Sequence, residues 1–363
     1  MLKTFLQLGF IGSLCLLAWA VFADTKVEVG GIRLDEEANV AAVPGDVAEA
    51  LEAEAEAQKP ARSRNFETVV APIPSRSPLL GWTLSVPVMF LYRPPGADPD
   101  DEVWTSGLFG FYTENNSWGG GLFHKMSLGG DAWRTKLSVF KADLNYDYYG
   151  IGNEGNGTAV PLTQRADLIT GEALRRIAPD LYVGLKGVLS ETEVRLNLPP
   201  GTLPPGIEPG DRSTNFTLAT INPRLQYDTR DGQFYPRNGW LIDADIALSR
   251  EGIGADADYE KYVLSVNNYR SINKSIVLAS RFNLQYVDAN APFFIYPVFG
   301  QGADLRGYQT GTYRDRFLVA AQAEGRYRYT PRVGAVVFAG VGSVSPDFAE
   351  WGKTLGSYGV GLR

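Results

Sequence analysis

From Leu79 to the last residue, apolar side chains recur at every second position in runs of ten to fourteen residues. Over 240–249, Trp240, Ile242, Ala244, Ile246 and Leu248 share one face, while Asp243, Asp245, Ala247 and Ser249 share the other. Over 276–287, Ile276, Leu278, Phe282, Leu284 and Tyr286 oppose Arg281, Asn283 and Gln285. Over 317–329, Phe317, Val319, Ala321, Ala323, Tyr327 and Tyr329 oppose Gln322, Glu324, Arg326 and Arg328. Successive side chains of a strand point to opposite faces, so each run is a strand with one apolar and one polar side. Ordinary strands cluster near about 5–6 residues, whereas a tilted strand needs roughly 9–11 to cross a bilayer. Lipid tolerates no unpaired backbone at a sheet edge, so such strands close on themselves. The fold expected is all-β, a transmembrane antiparallel β-barrel. A secreted lectin- or lipocalin-like sandwich would show the same alternation, but strand length and number favour the barrel.

Thirteen strands are readable, near 79–92, 103–113, 118–128, 132–144, 162–176, 180–192, 214–228, 239–250, 257–270, 275–288, 314–329, 332–344 and 354–363. Tyr92, Trp104, Trp118, Trp133, Tyr227, Trp240, Tyr259, Tyr286, Tyr313 and Tyr329 lie near strand ends, as interfacial girdles require. Past the N-terminus no stretch of 18 uncharged apolar residues occurs, so membrane-spanning helices are not expected.

The N-terminus has a different character. Lys3, the apolar run from Phe5 to Phe22, and Val21-Phe22-Ala23 before Asp24 form a secretory signal peptide over 1–23. Cys15 is the only cysteine and leaves with it; bulky Leu14 before it rules out a lipoprotein site. The mature chain then has no thiol for a disulfide, a metal or nucleophilic catalysis. The single histidine, His124, sits in a strand-like run and reads as structural or solvated, so no metal site or cofactor is expected. Losing Lys3 moves the net charge from −7 to −8, which argues against nucleic acid as a partner. Residues 24–77 hold an Ala/Glu run with almost no large apolar side chain. They are expected to form a flexible acidic periplasmic leader ahead of a barrel over 78–363.

Two stretches go beyond pattern. Asp228-Thr229-Arg230-Asp231-Gly232-Gln233-Phe234-Tyr235-Pro236-Arg237-Asn238-Gly239 has the residues of a tight turn, with Asp228 and Asp231 placed to cap backbone amides around Arg230. Gly300-Gln301-Gly302-Ala303-Asp304-Leu305-Arg306-Gly307-Tyr308 lies in the long gap 289–313. Together they resemble the barrel of the bacterial surface-antigen superfamily, which includes the BamA- and TamA-like assembly factors and the two-partner secretion transporters. The resemblance runs from about Pro78 to Arg363, and Tyr148-Tyr149-Gly150-Ile151-Gly152-Asn153 is similar to a loop of its shorter members.

The resemblance implies that Asp228, Thr229, Arg230, Asp231, Pro236 and Gly239 form a periplasmic turn. It also implies that Arg306, Gly307 and Tyr308 tip an extracellular loop folded back into the lumen. Glu324 matches the acidic wall position that would hold Arg306; alternatively it pairs only with Arg326 or Arg328 along the wall. Ala339 follows Phe338 where the family has an aspartate, so the family's tight locking of the loop is not implied. Residues 24–77 are too short and too polar for a periplasmic POTRA module of about 75 residues, so this reads as a short member without one. The family continues for two strands past Arg363, so the chain reads as truncated or as a barrel closing with fewer strands.

In function the resemblance implies a non-enzymatic outer-membrane protein. Its partners would be outer-membrane lipid and the envelope assembly machinery or client outer-membrane proteins. The rival is a passive pore whose lumenal charges, Asp243, Asp245, Arg281, Glu324, Arg326 and Arg328, set selectivity. One histidine and no Gly-x-Ser-x-Gly elbow speak against a hydrolase.

Overall fold

The computed structural model describes residues 66–77, 80–95, 103–152, 159–197, 213–232, 235–299, 304–308, 311–330 and 333–362. The expected signal peptide, and the leader up to residue 65, lie outside them. One antiparallel sheet contains β1 (Phe66–Val70), β2 (Ile73–Ser77), β3 (Gly81–Tyr92), β4 (Trp104–Thr113) and β5 (Trp118–Leu128). It continues through β6 (Trp133–Tyr148), β7 (Val160–Ala178), β8 (Leu181–Leu196), β9 (Ser213–Asp228) and β10 (Gly239–Ser249). β11 (Tyr259–Ser271), β12 (Ile276–Val287), β13 (Phe317–Thr330), β14 (Val333–Ser345) and β15 (Leu355–Leu362) complete it. From β3 onward each strand pairs with the next, and among the described residues no ladder joins β15 to β1 or β2.

The thirteen strands legible in the sequence correspond to β3–β15, but the sheet starts earlier than the boundary at Pro78. β1 and β2 both pair with β3 in one continuous register, Val70 opposite Val88 and Ile73 opposite Ser85. Ala71 and Pro72 interrupt the ladder opposite Pro87 and Val86, where two prolines have no N–H to give; the Ala71 amide still donates to the Pro87 carbonyl at 3.3 Å. Proline is tolerated on an edge strand, so Pro72 and Pro74 punctuate this strand without ending it. Phe66 lies outward against Phe90, ring centroids 5.9 Å apart, while Val69, Ala71 and Ile73 pack inward.

The alternation sorts the two faces as expected. In β10, Asp243 and Asp245 are buried inward, and Trp240, Ile242, Ala244 and Ile246 are outward. Connections at 129–132, 179–180, 272–275 and 331–332 share one end of the sheet; 149–159, 197–212, 288–316 and 346–354 share the other. Outer-membrane barrels carry short turns on the periplasmic side and longer loops outside, which orients the molecule. Connections 93–103, 114–117 and 229–238 run against that trend in length. Two expected girdle residues are not at the lipid interface. Tyr259 is buried inward because of its place in the alternation of β11, and Tyr313 packs on Tyr308 in the long loop.

Candidate functional site

The concave wall has two characters. Over β3–β9 it is largely apolar: Met89, Phe109, Phe111, Phe140, Leu144 and Leu168 are buried together. Phe109 and Phe140 stack at 5.3 Å, and a Cβ at Gly121 would come 3.2 Å from the Phe109 ring. Small residues on β5 thus make room for large ones beside them. Towards the periplasmic end and on β9–β13 the wall is ionic. Arg224, 2 % exposed in its side chain, pairs with Asp243 at 2.6 Å and with Glu172, and Asn222 donates to Asp245 at 2.9 Å.

The loop 288–316 lies across both. Its first half carries Phe293–Ile295 as one 3-10 turn whose side chains join the apolar wall. Phe294 meets Phe216 edge-on at 5.1 Å, and Phe293 lies 4.7 Å from the Tyr148 ring. Further on, Gly152 and Arg314 exchange backbone hydrogen bonds of 2.6 and 3.2 Å, and the Arg314 guanidinium donates to the Phe293 carbonyl at 2.9 Å. This ties the loop to the β6–β7 connection.

The second half holds the Arg-Gly-Tyr motif, and residues 304–308 reach four successive strands. Asp304 accepts from Arg281 Nε at 3.0 Å and from Asn283, both on β12. Arg306 Nη1 is 2.8 Å from Glu324 Oε2 on β13, and its guanidinium sits 4.6 Å above the Phe338 ring on β14. The other Glu324 oxygen accepts from Arg326 Nε at 2.8 Å. The carboxylate therefore faces the loop and the wall at once, combining the two pairings set out as alternatives. Tyr308 Oη donates to the Gly356 carbonyl at 2.8 Å on β15 and accepts from its amide at 3.0 Å. Gly307 has φ +96°, a conformation that side chains rarely adopt, which turns the chain between Arg306 and Tyr308.

The position after Phe338 also has an explanation. Ala339 faces outward, so a carboxylate there would not enter the lumen; the next inward position is Gly340. A Cβ at Gly340 would lie 3.1 Å from Leu305, and one at Gly342 would lie 2.7 Å from Phe299. These two glycines open a seat for Leu305 and Phe299, both fully buried. Asp304 supplies a carboxylate from the loop itself. Nothing in the sequence motif alone assigns Asp304 a role; the signal for it is the inward Arg281/Asn283 pair, two residues apart on β12.

The turn motif joins β9 to β10 at the periplasmic end. Arg230 donates to both Asp228 oxygens, at 2.8 and 3.1 Å, so Asp228 mainly holds the Arg230 side chain rather than backbone amides. Asp231 caps the Arg237 amide at 2.8 Å, and Thr229 Oγ1 accepts from the Trp240 amide at 2.9 Å. Pro236 is buried. Gly239 has φ +116°, and a Cβ there would come 2.3 Å from the Thr229 carbonyl, so no other residue fits. Arg134, not anticipated, bridges this turn to the β5–β6 turn: it donates to Asp131 at 2.9 and 2.8 Å and to Asp228 at 3.1 Å. Burial opposes ionisation of Asp131, but hydrogen bonds from Arg134, Tyr182 and Ser127 outweigh it and hold the carboxyl below its ordinary value of 3.8. The sole histidine lies outward on β5, Nδ1 2.8 Å from Ser106 Oγ.

A curled antiparallel sheet of membrane-crossing strands, with a motif-bearing loop pressed against its inner wall, defines an outer-membrane β-barrel with an inward loop. Residues 111–363 match the Omp85 superfamily domain, and the chain belongs to that superfamily. Among solved structures, it is similar to BamA from Haemophilus ducreyi lacking POTRA domains 1–3, with TM-score 0.56, 15% identity, and coverage of 83% of this chain and 64% of that one. It is also similar to CdiB from Acinetobacter baumannii, with TM-score 0.55, 13% identity, and coverage of 83% of this chain and 54% of that one. The chain thus spans less than two thirds of either, and at these identities the likeness is one of fold. A comparison with curated proteins returned no match.

Proposed function

We propose that this chain is a non-enzymatic outer-membrane barrel whose inward loop plugs its lumen, and that it aids assembly or translocation of other envelope proteins. The observation carrying this reading is the loop tip's hold on four strands through Asp304, Arg306 and Tyr308, with Leu305 fully buried. Arg306, Gly307 and Tyr308 are the lumenal motif in this reading, Glu324 its anchor, and the 228–239 turn the rigid periplasmic corner. Five of the six charges nominated for a passive pore, Asp243, Asp245, Arg281, Glu324 and Arg326, are 7 % exposed or less and engaged with partners. A water-filled channel would leave them solvated, so the plugged form is favoured. Arg328, the sixth, is exposed at the periplasmic end of β13.

Planar-bilayer conductance tests the plug. The chain should be largely closed, and Arg306→Ala should raise the open fraction. A steady ion-selective conductance indifferent to that substitution would make it a passive pore. Depletion in cells tests the role: an unchanged complement of outer-membrane proteins would remove the assembly reading and leave the plugged barrel standing.

A further inference from the structure

Strands β6 to β9 have 16, 19, 16 and 16 residues, well beyond the roughly 9–11 a tilted strand needs to cross. Their outward faces show where the surplus lies. Along one register row, Val88, Leu108, Leu122, Val139, Ile169, Leu189 and Ala219 follow one another across seven strands, all apolar. Two residues further out, the row from β6 to β9 is Lys141, Asp167, Glu191 and Thr217. The next reads Tyr112, Trp118, Asp143, Arg165, Glu193 and Asn215. The change from apolar occurs at one latitude in four neighbouring strands, to charged residues on β6–β8 and to Thr217 and Asn215 on β9, towards the end that bears the long loops.

The charges form a ladder: Lys141 to Asp167 at 2.5 Å, Arg165 to Asp143 at 2.7 Å and to Glu193 at 3.6 Å, and Arg195 to Glu193 at 2.7 Å. With Lys141 and Arg165 at least half exposed, such pairs add only about 0–1 kcal/mol each to stability. Stability does not account for them. All of them but Arg195 line a cavity of about 600 Å³ that also takes in Trp118, Glu191 and Asn215, and ligand sites commonly measure about 300–1,000 Å³.

We propose that this cavity binds the sugar headgroup of an outer-leaflet glycolipid. Lying just beyond the apolar band on the lipid-facing side, it is where headgroups meet the protein. Four carboxylates against two cations in its lining disfavour a bare phosphate. Carboxylate, amide and guanidinium groups pair with ring hydroxyls, and Trp118, 42 % exposed, offers a flat apolar surface to a sugar's C–H face. The proposal does not depend on the loop or on any assembly role.

The test reconstitutes the purified full chain in phosphatidylethanolamine vesicles containing either short-core lipopolysaccharide or phosphatidylglycerol, and measures lipid retained after detergent extraction. Lipopolysaccharide should be retained at least about tenfold over phosphatidylglycerol, a difference of roughly 1.4 kcal/mol. Trp118→Ala and Glu193→Gln should each abolish most of that preference, Ile169→Ala should not, and enzymatic dephosphorylation of the glycolipid should leave it intact. Equal retention of phosphatidylglycerol, loss on dephosphorylation, or indifference to both variants overturns the proposal. Heat-dependent gel mobility identifies a misfolded variant. Glu193→Gln, an isosteric change at a partly exposed side chain, keeps the test decisive if Trp118→Ala does not fold. Orientation is checked on intact cells: Asn215→Cys should react with an impermeant maleimide and Ile221→Cys should not. The reverse pattern overturns the proposal too.

Discussion

The two halves of the 288–316 loop are held by different physics. Ala291 to Tyr296 are fixed by burial among aromatic and aliphatic side chains of β3–β9. Asp304 to Tyr308 bury Leu305 but add directed contacts, one strand at a time, over β12–β15. Burial is non-directional and tolerates slippage, whereas a buried guanidinium needs its carboxylate in one place. The first half therefore supplies adhesion and the second supplies register. A lumen plug needs both: it must stay in, and it must stay in one position.

The largest effect should come from Phe294→Ala, which removes a ring 1 % exposed and leaves a cavity costing about 3–5 kcal/mol. Hydrogen exchange should rise over 288–299 first. If 304–308 loosens equally, the halves are one cooperative unit and the comparison fails. Glu324→Ala comes next, because it strands Arg306 and Arg326 in a site each shares with that carboxylate, at about 3 kcal/mol. Proteolysis near the motif should increase while the aromatic half stays protected. Tyr308→Phe removes two hydrogen bonds to Gly356 and should cost about 1 kcal/mol, read as faster exchange of the Gly356 amide.

The smallest effect is at the periplasmic corner. Because the folded Asp131 pKa is depressed, its contribution to stability is present above the ordinary carboxylate value and disappears as pH falls through the folded one. The stabilities of the chain and of Asp131→Asn should therefore differ near neutrality and converge below about pH 4. A gap that persists in acid would show that the Arg134 bridge acts without the charge.

How much of this was legible follows from what each feature depends on. The strands and their faces came through because period two is a local signal, and thirteen runs show it. β1 and β2 were hidden because Pro72 and Pro74 resemble linker punctuation; only pairing with β3 across the sheet explains them. The motif residues were visible, but their neighbours were not. Asp304 finds Arg281 across 23 positions, and Arg134 finds Asp228 across 94. Long-range partners of this kind carry no spacing that a single sequence displays. The outer ends of β6–β8 were underread for a related reason: they carry charge on the face that lower down is apolar, which breaks the pattern used to find them.

The loop also constrains the order in which the molecule can form. Through Arg314 it touches the β6–β7 connection at Gly152, and through Tyr308 the last described strand at Gly356, nine strands from β6 in the ladder. Hairpins joined by two- to four-residue turns close quickly and locally, whereas contacts between such distant segments are slow to find. Arg314 and Tyr308 do not both have their partners in place until the sheet has curled. Seating the loop is then a late event, and its docking reports that the wall around it has already taken shape.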